Sequence, residues 1–116
     1  MSRILSLGVA VAAFCAAATA LAADAPPPPN GEIAFANHGG IWDWRADGHD
    51  AILVKSRSGQ YYRATFMSPC FSLPFAEQVG FVTDSRDVLD KFQSIDVGHE
   101  RCQFQTFTEI PKPGNW

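Results

Sequence analysis

The chain has 116 residues, 9 Lys+Arg against 12 Asp+Glu and 47% apolar residues, which fits one cored domain and excludes wholesale disorder. A formal charge of −3 leaves no clustered basic footprint for nucleic acid. What remains is a small, weakly acidic, aromatic-rich globular protein.

The opening stretch has the three parts of a secretory signal peptide. Arg3 supplies the positive start, Ile4 to Ala18 an uncharged apolar run, and Ala20-Leu21-Ala22 the small residues that signal peptidase needs. Cleavage is expected between Ala22 and Ala23. The competing reading is a membrane-spanning anchor, but the run is Ala-rich rather than Leu-rich and ends in a cleavage motif. Cys15 follows Phe14, where lipid attachment would need a small residue. No later stretch is long and apolar enough to span a bilayer. Removing residues 1–22 leaves 94 residues, net charge −4 and two cysteines. The mature protein is therefore expected to be periplasmic or secreted.

In an oxidising compartment two thiols read as one disulfide, Cys70–Cys102. A buried free pair and an intermolecular bridge are the alternatives. The bond would close a loop of roughly 30 residues, a constraint of about 3.5 kcal/mol in the chain-entropy model. For so small a domain that is a large share of net stability.

Residues 23–31 carry four consecutive prolines, Pro26 to Pro29, and read as a linker. The folded domain is expected over residues 32–110, with 111–116 a tail rich in Pro and Gly. Within the domain, period-2 alternation dominates. Ile33 and Phe35 open a first strand, broken by the turn-prone Asn37-His38-Gly39-Gly40. Ile41 to Arg45 then places Trp42 and Trp44 on one face, opposite Ile41 and Asp43. Trp44 is expected to be buried and Trp42 partly exposed, because turn and sheet twist near Gly39-Gly40 carry the strand off the core. Asp47-Gly48 is a turn. Ala51 to Lys55 and Gln60 to Met67 form a hairpin about Ser56-Arg57-Ser58-Gly59.

Beyond Pro69-Cys70, Leu73-Pro74-Phe75 forbids a long helix. Val79 to Thr83 is a short strand. Asp84-Ser85-Arg86-Asp87 resembles a helix start, and Val88, Phe92 and Ile95 fall at i, i+4, i+7, an amphipathic helix. Arg101 to Ile110 alternates Cys102, Phe104, Thr106 and Thr108 against polar neighbours, apart from Phe107. The class is mainly β, with a small α+β fold as the neighbouring class. The architecture is a curled antiparallel sheet or partial barrel with one short helix and one disulfide.

The run Phe35-Ala36-Asn37-His38-Gly39-Gly40-Ile41, with Asp43-Trp44, Tyr61-Tyr62, Ala64-Thr65-Phe66-Met67 and Pro69-Cys70, resembles domain-of-unknown-function family 6491. Leu73-Pro74-Phe75-Ala76, Val79-Gly80-Phe81 and Arg101-Cys102 extend the resemblance over residues 33–110. Such proteins are small, bacterial and exported, with a paired cysteine; the resemblance supports compartment and disulfide and supplies no catalytic residue.

Motifs for metal, cofactor and catalysis fail one by one. Counted from Asp43, a calcium loop would need oxygen ligands where Arg45 and Val54 stand. His38-Gly39-Gly40 lacks the nucleophile elbow that esterase chemistry requires. His38, His49 and His99 have no zinc-ligand spacing, and Cys70 and Cys102 no C-x-x-C spacing. No metal and no cofactor are therefore expected. The densest aromatic neighbourhood is Trp42, Trp44, Tyr61, Tyr62 and Phe66. Consecutive Tyr61 and Tyr62 point to opposite faces, so one lies away from the core. Trp42, Arg45, Tyr61, Tyr62 and Arg63 are thus the candidate binding surface. The sequence points to a non-catalytic binding or structural module of the cell envelope, with an envelope protein or a small ligand as partner. The competing class is a small hydrolytic or metal-dependent enzyme with a site near His38, Asp43 and His49.

Overall fold

The computed structural model describes residues 30–114 and residue 116. The expected signal peptide with its cleavage between Ala22 and Ala23, Cys15 and most of the expected Pro-rich linker lie outside the described residues. Eight strands follow in chain order: β1 Ile33–Ala34, β2 Ile41–Asp47, β3 Ala51–Ser56, β4 Tyr61–Phe66, β5 Gly80–Val82, β6 Val88–Leu89, β7 Ser94–Val97 and β8 Glu100–Ile110. Six form one antiparallel sheet in the order β2-β3-β4-β8-β7-β5, and β1 pairs with β6 beside it. The class is mainly β, a curled half-barrel sheet, and Cys70 and Cys102 are bonded.

The β3–β4 hairpin forms where alternation and turn chemistry agree. Gly59 takes φ 94°, a conformation open to glycine at little cost, and Gly59 N–H donates to the Ser56 carbonyl at 3.0 Å. Ile52, Val54, Tyr62 and Ala64 face inward, in the register Val54↔Tyr62 and Ile52↔Ala64.

β8 curls the sheet. Its first residues pair with β7 and its later ones with β4, and the register slips where Thr65↔Thr106 is followed by Phe66↔Phe104. Gln105 is the extra residue of a β-bulge, which bends the strand and reverses its alternation. Cys102 and Phe104 therefore face the core before it, and Phe107 after it. This explains why Phe107 breaks the sequence alternation and why Thr106 and Thr108 point away. Phe104 packs on Phe66 at 5.8 Å and on Phe107 at 5.7 Å, and Phe107 stacks on Tyr62 at 5.2 Å.

A second bulge lies in β2, where Ile41↔Ser56 is followed by Asp43↔Lys55 and leaves Trp42 unmatched. The bulge places Ile41 with Trp44 and Ala46, all packed against the core. Ile41 is thus on the core side rather than opposite Trp44, and a bulge, not sheet twist, separates the two tryptophans. Trp44 is half-buried; Trp42 is 62% exposed beneath the Arg57 guanidinium, 5.7 Å from its ring.

The short helix expected from Asp84 through Ile95 does not form. Asp84 caps a turn, accepting from the Arg86 N–H at 3.0 Å, and Asp87 then takes φ 56°, which a helix cannot propagate. Asp90 makes a second such turn by accepting from the Phe92 N–H at 3.0 Å. Leu89 pairs opposite Ile33 and Ile95 opposite Phe81, while Phe92 is exposed. The i, i+4, i+7 spacing is a coincidence of two strands and a turn; pairing with β1, β5 and β8 overrides it. Among the described residues, helical geometry is confined to the 3-10 turn Leu73–Phe75, which holds Pro74, and to a π-type turn, Ala36–Gly40, broken at His38 and Gly39.

The first described residues are tied to the sheet. Asn30 bridges to Thr108, and Gly31 N–H donates to the Phe107 carbonyl at 2.7 Å. A side chain at Gly31 would enter the Tyr62 ring.

The two bulge-separated tryptophans should respond differently to truncation. Trp44→Ala should lower unfolding free energy by at least about 2 kcal/mol. Trp42→Ala should stay within about 0.5 kcal/mol. Urea denaturation of the two variants measures both, and equal losses would contradict the bulge's separation of the rings.

Candidate functional site

Among the described residues, large apolar side chains break the surface at Phe35, Trp42, Met67, Phe71, Phe75 and Phe92. Phe71 and Phe75, 64% and 85% exposed, line an open groove of about 1120 Å³ together with Ala76, Glu77, Val97, His99 and Glu100. Three constraints hold these rings out. Cys70, fully buried, is bonded to Cys102 on β8, Cα to Cα 5.6 Å. Leu73 plugs the core beneath the 3-10 turn. Glu100, opening β8, accepts from the Ser72 N–H at 2.9 Å and the Phe71 N–H at 3.2 Å. Those hydrogen bonds, from Ser72 first, hold the Glu100 carboxyl below the usual carboxylate range. His49 flanks Phe71, ring to ring 5.6 Å, and its carbonyl accepts from the Cys70 N–H at 2.7 Å.

The Cys70 and Cys102 sulfurs and a Glu100 oxygen lie within 4.8 Å of one another. That spacing suits a metal, but two sulfurs bonded to each other offer no thiolate. The bonded pair is a staple here.

A second feature is the turn Ala36–Gly40. Phe35 (φ 58°) and Asp87 (φ 56°) are the two non-glycine residues in the left-handed region among those described, and they face each other. Ala36 N–H donates to the Asp87 carbonyl at 2.9 Å and Asn37 N–H to Asp87 Oδ1 at 2.9 Å. His38 Nδ1 lies 2.6 Å from Asp87 Oδ2. An ionised carboxylate only accepts, so Nδ1 carries the proton of that bond. Asn37 Nδ2 donates to the Phe81 carbonyl and to Thr83 Oγ1, each at 3.1 Å. His38, Asn37 and Thr83 together, His38 first, hold the Asp87 carboxyl below its ordinary range. Gly40 is obligatory: any side chain would collide with the Ala34 and Phe35 carbonyls. The turn borders a cavity of about 360 Å³ lined by Glu32, His38, Arg57, Ser58, Gln60 and Tyr62. Burial, then Glu109 and Glu32, raises the Tyr62 phenol above its usual value, and the hydroxyl donates to Gln60 Oε1 at 3.1 Å.

His38, Asp43 and His49 do not converge. His38 and His49 flank opposite ends of the seven-residue β2, about 23 Å of extended chain. His38 is paired with Asp87 and His49 with Asp50 at 3.2 Å, while Asp43 accepts from the Trp44 N–H at 2.8 Å. Asp87, the partner His38 does have, was legible only as a first-turn helix acid, because its role depends on a left-handed backbone that no local pattern announces.

Of the sequence-derived surface, Arg45, Tyr61 and Arg63 share the outward face of β2–β4, with Leu53 between Arg45 and Arg63 in register. Tyr62 is on the inward face, stacked on Phe107. Tyr61 is nevertheless buried, because Trp116 packs edge-on against it at 5.3 Å. The Arg45 guanidinium lies 4.7 Å over the same indole, and Arg63 pairs with Asp47 at 2.9 Å. Phe71 and Phe75 escaped the sequence reading, since apolar residues beside a cysteine look like core.

Asp87 sets a measurable pH dependence. Its folded pKa is depressed, so its brace stabilises above the unfolded value near 3.9 and is lost as pH falls through the folded pKa. Asp87→Asn should lower Tm at pH 7 and flatten the fall of Tm below about pH 4. Scanning calorimetry from pH 7 to 2.5 compares the two proteins; identical acid limbs would show that the brace carries no stability.

The chain belongs to the family of unknown function DUF6491, whose model matches residues 1–112. No curated protein and no solved structure matches it. Among the described residues, no helix is long and apolar enough to cross a membrane.

Proposed function

We propose that the protein is an exported, non-catalytic binding module of the cell envelope whose contact surface is the Phe71/Phe75 groove. The observation that carries this reading is the rigid exposure of those two rings. An apolar side chain on a loose loop withdraws from water at little cost. Phe71 and Phe75 are denied that by the disulfide, the Leu73 plug and the Glu100 clamp. Rings fixed in water gain most when a partner covers them, and little ordering entropy is then lost on binding. The Ala20-Leu21-Ala22 motif and the bonded cysteines support an extracytoplasmic site of action.

The groove fits a protein segment with an apolar anchor better than a small polar ligand. Phe71, Phe75, Ala76 and Val97 supply its apolar lining, beside the polar Ser72, Glu77, Gln78, His99 and Glu100.

Phe71→Ala/Phe75→Ala should leave Tm within a few degrees of wild type, because neither ring is buried. The purified mature domain should retain envelope partners in a pull-down that the double variant no longer retains. Capture of the same partners by both proteins would sink the groove as the contact surface. N-terminal sequencing of the exported protein should begin at Ala23; a chain that keeps residues 1–22 would overturn the exported reading.

A further inference from the structure

On the opposite side of the molecule from the core, the outward face of β2–β4 is occupied by a residue from far along the chain. The indole of Trp116 sits between the Arg45 guanidinium, 4.7 Å from its ring, and the edge of Tyr61 at 5.3 Å. Lys55 Nζ lies 5.4 Å from the other ring, Tyr61. Leu53, in register between Arg45 and Arg63, is 8% exposed and Tyr61 9%, although both point away from the sheet's core side. Such burial on an outward face needs a cover, and Trp116 is the ring found there.

The cover is held differently from a strand. Pro111 to Gly114 form no ladder with the sheet, and Trp116 N–H makes its one described backbone bond within the segment, to Pro113 at 3.3 Å. Two prolines and a glycine in residues 111–116 keep the backbone from adding a ladder. The indole supplies contacts of this segment with the sheet face, to Arg45 and Tyr61. Cation–π and edge-to-face contacts recognise an aromatic ring as such, whichever chain presents it. The family match covers Arg45, Leu53, Lys55 and Tyr61 and stops at residue 112, short of Trp116. The cradle is part of the matched domain, and its occupant is not.

We infer that this face is a second binding surface, a cradle for a tryptophan carried on an extended, Pro- or Gly-flanked segment of a partner protein, and that Trp116 fills it in cis. The cradle lies on β2–β4 and is independent of the Phe71/Phe75 groove. A tethered ring competes at an effective concentration in the mM range. A single free indole does not displace it, whereas a partner with further contacts does. Trp116 so acts as a built-in threshold against casual aromatic ligands.

The test uses a fluorescein-labelled peptide of residues 112–116, Lys-Pro-Gly-Asn-Trp, added to the mature protein and to its Trp116→Ala variant, with binding followed by anisotropy. The variant should bind the peptide saturably, and the intact protein at least ten-fold more weakly. Adding Arg45→Ala to the open variant should abolish binding, while Phe71→Ala/Phe75→Ala should leave it unchanged. A Trp116→Ala protein that stays folded and binds nothing at millimolar peptide would overturn the cradle. Equal binding to intact and open forms would overturn the cis competition. Loss of the folded state in Trp116→Ala, read by near-UV circular dichroism, would also overturn the proposal by making Trp116 core. Trp116→Phe, which keeps an apolar cover with a weaker ring, should bind the peptide between the two extremes.

Discussion

The bulge at Gln105 is the constraint on which the architecture turns. β8 is eleven residues long and belongs to two pairings, with β7 before the bulge and with β4 after it. A flat strand of that length would hold both partners in one plane and leave an apolar sheet face open to water. The extra residue bends β8 and rephases its side chains, so that Phe104 and Phe107 both reach the concave side. The curl then lets one set of aromatic rings, Tyr62, Phe66, Phe104 and Phe107, serve as the core for strands far apart in sequence. Cys102 lies on the β7-facing half of β8, so the bond to Cys70 fixes the loop after β4 to that half as well.

A core this small leaves little stability for long loops, and each is tied by one side chain. Asp87 accepts from the backbone and side chain of the His38 turn; Glu100 accepts from two successive amides of the Phe71 turn; Gln103 Nε2 donates to the Phe92 and Gln93 carbonyls. The Glu100 brace joins segments that strand pairing does not, and the other two carry the β1–β6 and β7–β8 pairings on into the adjoining loops. A carboxylate that satisfies backbone N–H groups is a stronger tie than a surface ion pair such as Arg101–Asp96, whose partners are solvated and whose geometry holds only themselves. The exposed rings of Phe71 and Phe75 inherit their fixed placement from these ties.

How much of this could be read beforehand follows from the range of the forces involved. The β3–β4 hairpin was legible because alternation and a Gly turn are local, and the disulfide because residues 23–116 hold two cysteines. The bulges were not, since an extra residue is defined only against a partner strand: Phe107 and Ile41 look out of phase until Thr65 and Ser56 are placed opposite. Val88, Phe92 and Ile95 mimic a helix because two short strands joined by an Asp turn happen to repeat near 3.6. The left-handed backbone at Asp87 has no signature in an Asp-Ser-Arg-Asp run. At the candidate surfaces the failure is of another kind. Phe71 and Phe75 are exposed, and Tyr61 is covered by a ring 55 positions away; apolar pattern alone ranks them the other way round.

The two proposed surfaces would solve one problem by opposite means. An aromatic residue in water invites any apolar neighbour, so a protein that displays one must limit what it accepts. At the groove the limit is geometric. The rings stand on a backbone tied by the disulfide and by Glu100, and Glu77 and Glu100 line the same groove, so a segment lacking a matching shape gains little. At the outward face the limit is competitive, for the site is already filled by a ring of the same chemistry on a tether. A fixed backbone suits the first site because its loop is stapled to β8, the strand that pairs with both β4 and β7. Competition suits the second because Tyr61 stands on the outward face of an interior strand, flanked by the cations of Arg45 and Lys55, where a bare ring would attract any apolar neighbour. Covering Tyr61 with Trp116 keeps that ring out of water while leaving the cradle intact beneath it.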